Sequence, residues 1–280
     1  MSKIAVIGIA GESIFLTLNE FGKIGETTVA KDIHRELGGK GFNQAVAVAR
    51  FGVDCSFLCA VNKNDVKAFS HIAKSVGIKA FFVSKEEQSP YAVITTDRSG
   101  ENSVCVYRGA ELEEGDVDSF ENEIKTADIL LINNETPAIV NKRAVEIAKK
   151  YGKKVILNPA PTRKYDSDFL KQIDLFTPNE HETEGLEDFE NVIVTLGDKG
   201  CMIKSSGEII PAYKAEMVVD TTGAGDTFNG VLAACLSEGE DIKSACKKAN
   251  LAASIKVGRK HILNSIPTRQ EITESEQKNG

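Results

Sequence analysis

No run of lysine or arginine interrupts the 280-residue chain, and its formal net charge of −7 comes from charges of both signs spread along its length. That pattern excludes a nucleic-acid-binding stripe, and a small molecule is the expected partner. No stretch of apolar residues is long enough to span a bilayer, so no membrane partner is expected. The opening MSKIAVIGIAGES reaches glycine and glutamate too soon to form the apolar centre of a signal peptide. The six cysteines (Cys55, Cys59, Cys105, Cys201, Cys235 and Cys246) form no CxxC pair, and four fall in strand-like or helix-like apolar runs. They read as reduced core thiols of a cytoplasmic protein. His34, His71, His181 and His261 are scattered without the spacing of a zinc site, so no structural metal is expected. Internal repeats, low-complexity tracts and long linkers are also lacking, which leaves residues 1–280 as one large domain. Only the tail TESEQKNG reads as prone to fray.

What is present is an alternation of short β-rich runs with segments of helical period, the pattern of a parallel sheet covered by helices. KIAVIG, DILLIN, KKVILNPA, DLFTPN and NVIVTLG are apolar almost throughout, as strands buried on both faces are. Val140, Ala144, Ile147, Ala148 and Tyr151 share one helical face, and Phe42, Ala45, Val46 and Ala49 share another. Two regions, residues 11–37 and 89–109, instead tend to alternate polar and apolar residues and read as a small, partly exposed second sheet.

Residues 220–230 read DTTGAGDTFNG, between a strand-like MVVD and a helix-like DTFNGVLAACLSEG that ends on a glycine suited to a C-cap. In such a strand-to-helix turn, Gly223 and Gly225 permit backbone angles that aim successive N–H groups at one point. The helix adds its positive end there, which makes an anion site. Asp226 falls at the helix start, where the dipole favours an ionised carboxylate able to accept a proton from a hydroxyl. Taken alone, a GxGD reads as a tight turn with Asp226 as N-cap. The run lacks the third glycine of a dinucleotide-binding turn, and no GxxxxGK(S/T) occurs in the chain, so it is a different phosphate device and a dinucleotide-dependent oxidoreductase is disfavoured.

A second glycine cluster, ELGGKGFNQAVAVARFG at residues 36–52, also leads into an amphipathic helix. Together the two clusters resemble the paired signatures of the ribokinase family, the phosphofructokinase-B type of sugar kinase. LLINNETP, LNPAP, TPNEHETE, VTLGDKG and SIP at 265–267 follow in the family's order, and the wording is nearest to that of ribokinases. The resemblance implies an α/β, ribokinase-like fold: a central, mostly parallel sheet flanked by helices on both faces, with a small β lid formed by the two alternating regions. It also implies transfer of the ATP γ-phosphate to a primary hydroxyl of a small sugar, ribose or a related pentose.

Carried over by motif, the resemblance makes Asp226 the catalytic base and Gly223, Ala224 and Gly225 the anion hole. Gly39, Lys40, Asn43 and Glu135 match positions at the sugar hydroxyls, and Glu135, after two asparagines at a strand end, is hard to explain as core. Asn179 and Glu182 match an NxxE element that holds magnesium through water. Thr195, Gly197 and Asn250 match positions against the nucleotide, although a strand-end turn accounts equally well for LGDKG. Asp220 and Thr222 match two ligands of a monovalent cation, which makes potassium activation a hypothesis, and a homodimer formed through the lid is a family expectation.

The sequence departs from the family at three places. Ser13 stands where an aspartate normally grips two sugar hydroxyls, with Glu12 one residue earlier; a one-residue slip changes the face of a strand. Either the sugar differs from ribose, or Glu12 and its loop are rearranged to reach it. The loop reading RKGA in ribokinases reads RKHI here, with His261 in place of glycine. Finally, EHETEGLEDFEN leaves no room for the helix of an ordinary crossover, which predicts a poorly covered patch of sheet that a partner subunit could cover. The alternatives to a pentose kinase are a kinase for another hydroxylated ligand (a nucleoside, a fructose phosphate or a sugar acid) and a non-catalytic sugar-binding sensor.

Overall fold

The computed structural model describes residues 2–99 and 101–279. The chain runs through β1 (Lys3–Ile7), β2 (Gly11–Thr17), β3 (Asp32–Gly38), α1 (Lys40–Arg50), β4 (Asp54–Asn62), α2 (Val66–Ser75), β5 (Lys79–Lys85), β6 (Tyr91–Thr96) and β7 (Asn102–Tyr107). Next come α3 (Glu114–Asp118), α4 (Glu121–Thr126), β8 (Ile129–Asn133), α5 (Ala138–Lys150), β9 (Lys154–Asn158), α6 (Ser167–Leu170) and β10 (Leu175–Phe176). The last part holds β11 (Ile193–Thr195), β12 (Cys201–Ile203), β13 (Glu208–Ile210), α7 (Ala224–Ser237), α8 (Ile242–Val257) and α9 (Arg269–Asn279).

Six strands pair in the order β10-β9-β8-β1-β4-β5, every pair parallel. Strand β1 shows why a continuous apolar run is needed at the centre. Ile4 and Val6 face a core shared with α1, α7 and α8, whereas Ala5 and Ile7 face a second core shared with α4 and α5. The fold is therefore the expected α/β architecture, with helices on both faces. The chain leaves β1 toward β4 on one side and is joined by β8 on the other, so the strand order reverses there. A crevice opens at the carboxyl ends of the strands at such a point.

The two alternating regions form a separate four-stranded sheet, β3-β2-β6-β7, whose register runs without a break from Gly11 opposite Gly38 to Thr17 opposite Asp32. Ile33, Val104, Val106 and Tyr107 are exposed on it.

Five expectations need correction. NVIVTLG supplies β11, but that strand belongs to a third, antiparallel sheet (β11-β12-β13), and its segment meets that of β10 through the isolated parallel bridges Phe176–Val192 and Asn179–Thr195. MVVD is not a strand: Met217 and Val218 are exposed, and the N–H groups of Val219 and Asp220 both donate to the Val257 carbonyl at the end of α8. The sheet patch left by the short crossover is not bare, because Leu186 is buried against it and Phe189 packs edge-on against Phe176 at 5.2 Å. The tail is helical through Asn279, anchored by buried Ile272 and by Glu271, which accepts from Thr268 N–H at 2.7 Å; Gly280 lies outside the described residues. Five cysteines are buried and free, as expected, but Cys105 is exposed on β7. Among the described residues, no helix is long and apolar enough to cross a membrane.

Candidate active site

Helices α7 and α1 meet at the crevice, and their first turns build its floor. Gly223 adopts φ 78° to start α7, and a Cβ there would lie 2.7 Å from Ile262 Cγ2, so both the turn and the space require glycine. The first intrahelical bond of α7 runs from Thr227 N–H to Gly223 C=O at 2.9 Å, and Ala224 N–H turns back to Thr221 C=O at 3.2 Å. The N–H groups of Gly225 and Asp226 lie ahead of that first bond, at the positive end of the helix.

Asp226 is only 7% exposed. Asn43 Nδ2 donates to its Oδ2 at 2.9 Å and Gln44 Nε2 to its Oδ1 at 3.2 Å, so α1 fixes both carboxylate oxygens. Gln44 also reaches Asn158 Oδ1 at the end of β9, at 3.2 Å. Neither Asn43 Oδ1 nor Gln44 Oε1 has a protein hydrogen-bond partner.

The Lys40 ammonium is held above its ordinary 10.5, chiefly by Asp226 and, against the pull of burial, also by Glu135 and Glu182. Glu135 follows β8; its Oε2 accepts from Lys40 N–H at 2.9 Å, and Asn133 Oδ1 takes its own N–H at 3.0 Å. Burial pushes the Glu135 carboxyl up to about 7, with Asp226 adding to the rise and Lys40 opposing it. A carboxyl so placed can either donate or accept at neutral pH.

Two cavities meet at Asp226. One, of about 390 Å³, is lined by Asn179, Glu182, Thr195, Gly197 and Asn250 together with Gly223, Ala224 and Gly225. The other, of about 170 Å³, lies under the four-stranded sheet and is lined by Glu12, Ser13, Gly39, Asn43, Glu135 and Thr222. Lys40, Gly223 and Asp226 line both. Every site residue expected from the sequence thus reaches one cavity or the other, except Asp220, which lies behind the turn.

On the larger side, Asn179 N–H donates to Glu182 Oε2 at 3.0 Å, and Asn179 Oδ1 accepts from His181 N–H at 2.8 Å. Asn250 Nδ2 donates to the carbonyls of Ile210 and Pro211, at 2.9 and 3.2 Å, and so ties α8 to the end of β13. On the smaller side the regular register of β2 settles how Glu12 and Ser13 are arranged. They point to opposite faces, and the Glu12 carboxylate lies 3.6 Å from Arg35, so Glu12 is not re-aimed into the place of Ser13.

Behind the turn, Thr222 N–H donates to Asp220 Oδ1 at 2.9 Å, and Lys256 Nζ donates to the Asp220 carbonyl at 2.7 Å. Ile262 N–H is held by both carboxylate oxygens of Glu36, at 3.1 and 3.0 Å, which joins β3 to the loop after α8. In that loop His261 has φ 71°, the left-handed conformation that a glycine would adopt freely. The histidines are not all scattered in space. The rings of His34 and His261 lie 4.1 Å apart, with Glu36 beside them.

Sequence reasoning missed Gln44, Asn158, Glu36 and Lys256. Gln44 adjoins a residue already singled out, and Lys256 is a lysine in the otherwise apolar end of ANLAASIKVG, a signal that could have been read. Glu36 and Asn158 lie inside runs already singled out, ELGGKG and LNPAP, but their own roles depend on contacts 226 and 114 residues away.

A buried carboxylate in the first turn of a helix, shared by two cavities at the carboxyl edge of a parallel sheet, is an arrangement suited to phosphoryl transfer. Residues 1–269 match the pfkB family of carbohydrate kinases. The chain is 35% identical over 298 residues to the ribokinase of Haemophilus influenzae, covering 97% of each. The ribokinase structure from Giardia lamblia superposes with a TM-score of 0.89 at 26% identity, covering 100% of this chain and 99% of that one. The Arabidopsis thaliana ribokinase, solved in complex with ribose and ATP, has a TM-score of 0.84 at 27% identity over 98% of each chain. The chain belongs to the pfkB family and is a carbohydrate kinase.

Proposed function

We propose that the protein transfers the γ-phosphate of ATP to a primary hydroxyl of ribose or a closely related pentose, with Asp226 as the base. The observation that carries this is the place of Asp226 at the junction of the two cavities, with an amide donor on each carboxylate oxygen. A relative whose structure holds ribose and ATP supports the assignment of the two ligands.

The sugar lies in the smaller cavity, where Asn43, Lys40, Glu135 and the Ser13 hydroxyl bind its hydroxyls and turn one toward Asp226. The nucleotide lies in the larger one, along Thr195, Gly197 and Asn250. Asp226 takes the proton of the attacking hydroxyl, and the N–H groups of the 223–226 turn face the charge that develops on the transferring group. Asn179 and Glu182 present oxygen ligands suited to a hard cation and would hold magnesium through water, which would supply neutralisation of the phosphates. The four-stranded sheet acts as a lid over the sugar and excludes water that would waste ATP. Its exposed apolar residues make it the face for a homodimer, a state that light scattering on the purified protein would reveal.

The test is magnesium-dependent ADP release from ATP over a panel of pentoses, hexoses, sugar phosphates and nucleosides. Pentose-dependent turnover, lowered about 10²- to 10⁴-fold in Asp226→Asn with nucleotide binding retained, is the expected result. A faster rate on a nucleoside or a sugar phosphate would reassign the acceptor, and sugar binding without turnover would make the protein a sensor.

A further inference from the structure

Lys256, in the last turn of α8, is a charged side chain with no exposure. Its ammonium lies 2.7 Å from the Asp220 carbonyl oxygen and 3.8 Å from Asp220 Oδ2, and no other partner for it is found among the described residues. The contact is built in. Segment 219–220 is fastened to the end of α8 by two N–H groups on the Val257 carbonyl, which keeps the Asp220 backbone within reach of the Lys256 side chain. Asp220 in turn holds Thr222 N–H, and Thr222 is the residue before the Gly223 turn of the anion hole. Burial lowers the Lys256 ammonium from its ordinary 10.5, against the pull of Asp220, Glu36 and Asp226, the three carboxylates that act on this buried amine.

Asp220 and Thr222 are the two residues that the family resemblance assigns to a monovalent cation. The arrangement does not fit one. Hydrogen bonds from an ammonium to oxygen are about 2.7–2.9 Å long, so Lys256 already meets the Asp220 carbonyl at the distance of a bound cation. A second cation on the same aspartate would face a buried like charge. The loop that would complete such a site is also altered: His261 occupies a left-handed position, and Glu36 holds Ile262 N–H.

We propose that the Lys256 ammonium is a tethered replacement for the monovalent cation, so that this kinase needs no potassium. Lys256 acts as a positioning residue. It clamps Asp220 and, through the Asp220–Thr222 turn, the N–H groups that receive the phosphate, and it supplies fixed positive charge behind them.

This inference rests on the kinase reading of the same site, and its test separates the two. Wild type, Lys256→Met and Lys256→Ala are compared in choline chloride and in potassium chloride at matched ionic strength, by melting midpoint without substrates and by initial rate of ADP formation. The wild type is expected to show the same midpoint and the same rate in both salts. Lys256→Met should be about 10²-fold slower in both. Lys256→Ala should be slow in choline, with potassium raising both its rate and its melting midpoint as binding to the folded form requires. A wild-type rate or midpoint that rises with potassium, or full activity of Lys256→Met in choline, would overturn the proposal. The wild-type comparison stands even if neither variant folds, and the melting comparison stands even if no acceptor is phosphorylated.

Discussion

Glu135 places a cost on the fold that scales with pH. Its carboxyl titrates near 7 in the folded protein against an ordinary value of 4.5. An acid whose folded pKa is raised is easiest to bury in its neutral form, so ionisation opposes folding as pH climbs from 4.5 through 7. At one pH unit per about 1.4 kcal/mol, the linkage destabilises the wild type by about 3 kcal/mol near pH 8, about 2 near pH 6 and under about 1 near pH 5. In Glu135→Gln the amide oxygen can still accept from Lys40 N–H, but nothing ionises. The variant is expected to be more stable than the wild type in urea at pH 8, the gap closing toward pH 5, while its KM for the sugar rises. Equal stability at pH 8, or a gap that does not change with pH, would refute the reasoning. In either case the carboxyl would not be held neutral by its surroundings, and its proton could not serve the sugar.

Two further substitutions test the fold, one at the amino edge of the central sheet and one behind the site. Glu123, at 4% exposure, is hydrogen-bonded by Lys3, Lys79 and Ser56 at 2.6, 2.7 and 2.7 Å; burial would raise its pKa, but these partners prevail and bring it to about 2. The stability it confers is present above 4.5 and lost as pH falls toward 2, so Glu123→Gln should cost about 3 kcal/mol at neutral pH and progressively less in acid, as read by denaturant titration. Gly230 in α7 lies where a Cβ would come within 2.5 Å of Ala47 Cβ and 2.6 Å of Gln44 C=O. Gly230→Ala should therefore destabilise by about 1–3 kcal/mol despite alanine's helix preference, and because α1 carries the amides that hold Asp226, kcat should fall as well.

The sequence showed its function through glycines. GGKG and GAGD mark places where the backbone itself forms the site, and such places can be read without knowing what lies opposite them. The central sheet was legible for a similar reason: strands such as KIAVIG and DILLIN are buried on both faces, so burial alone dictates their composition. MVVD misled because Met217 and Val218 face solvent and the segment is fastened instead to the end of α8. NVIVTLG reads as sheet, but periodicity cannot say which sheet, and its short connection places it against β12 in the antiparallel layer. Glu36 escaped notice because it gains its meaning from a partner distant in the chain, Ile262, whereas Lys256 stood out as a lysine in an apolar helix end and only its partner, Asp220, needed the fold.

Helix α1 has a consequence for how this enzyme can evolve. Lys40 and Asn43 line the smaller cavity, and Asn43 and Gln44 also hold the Asp226 carboxylate. If Asp226 is the base, as proposed, acceptor choice and the setting of the base are written into the same helical turn, and a substitution there that admits a new acceptor should also lower turnover. The walls contributed by β2 and β6, at Ser13, Tyr91 and Ala92, touch the smaller cavity without bonding to Asp226. New specificities can be explored from that side at little risk to turnover, so libraries aimed at other acceptors belong on the four-stranded sheet.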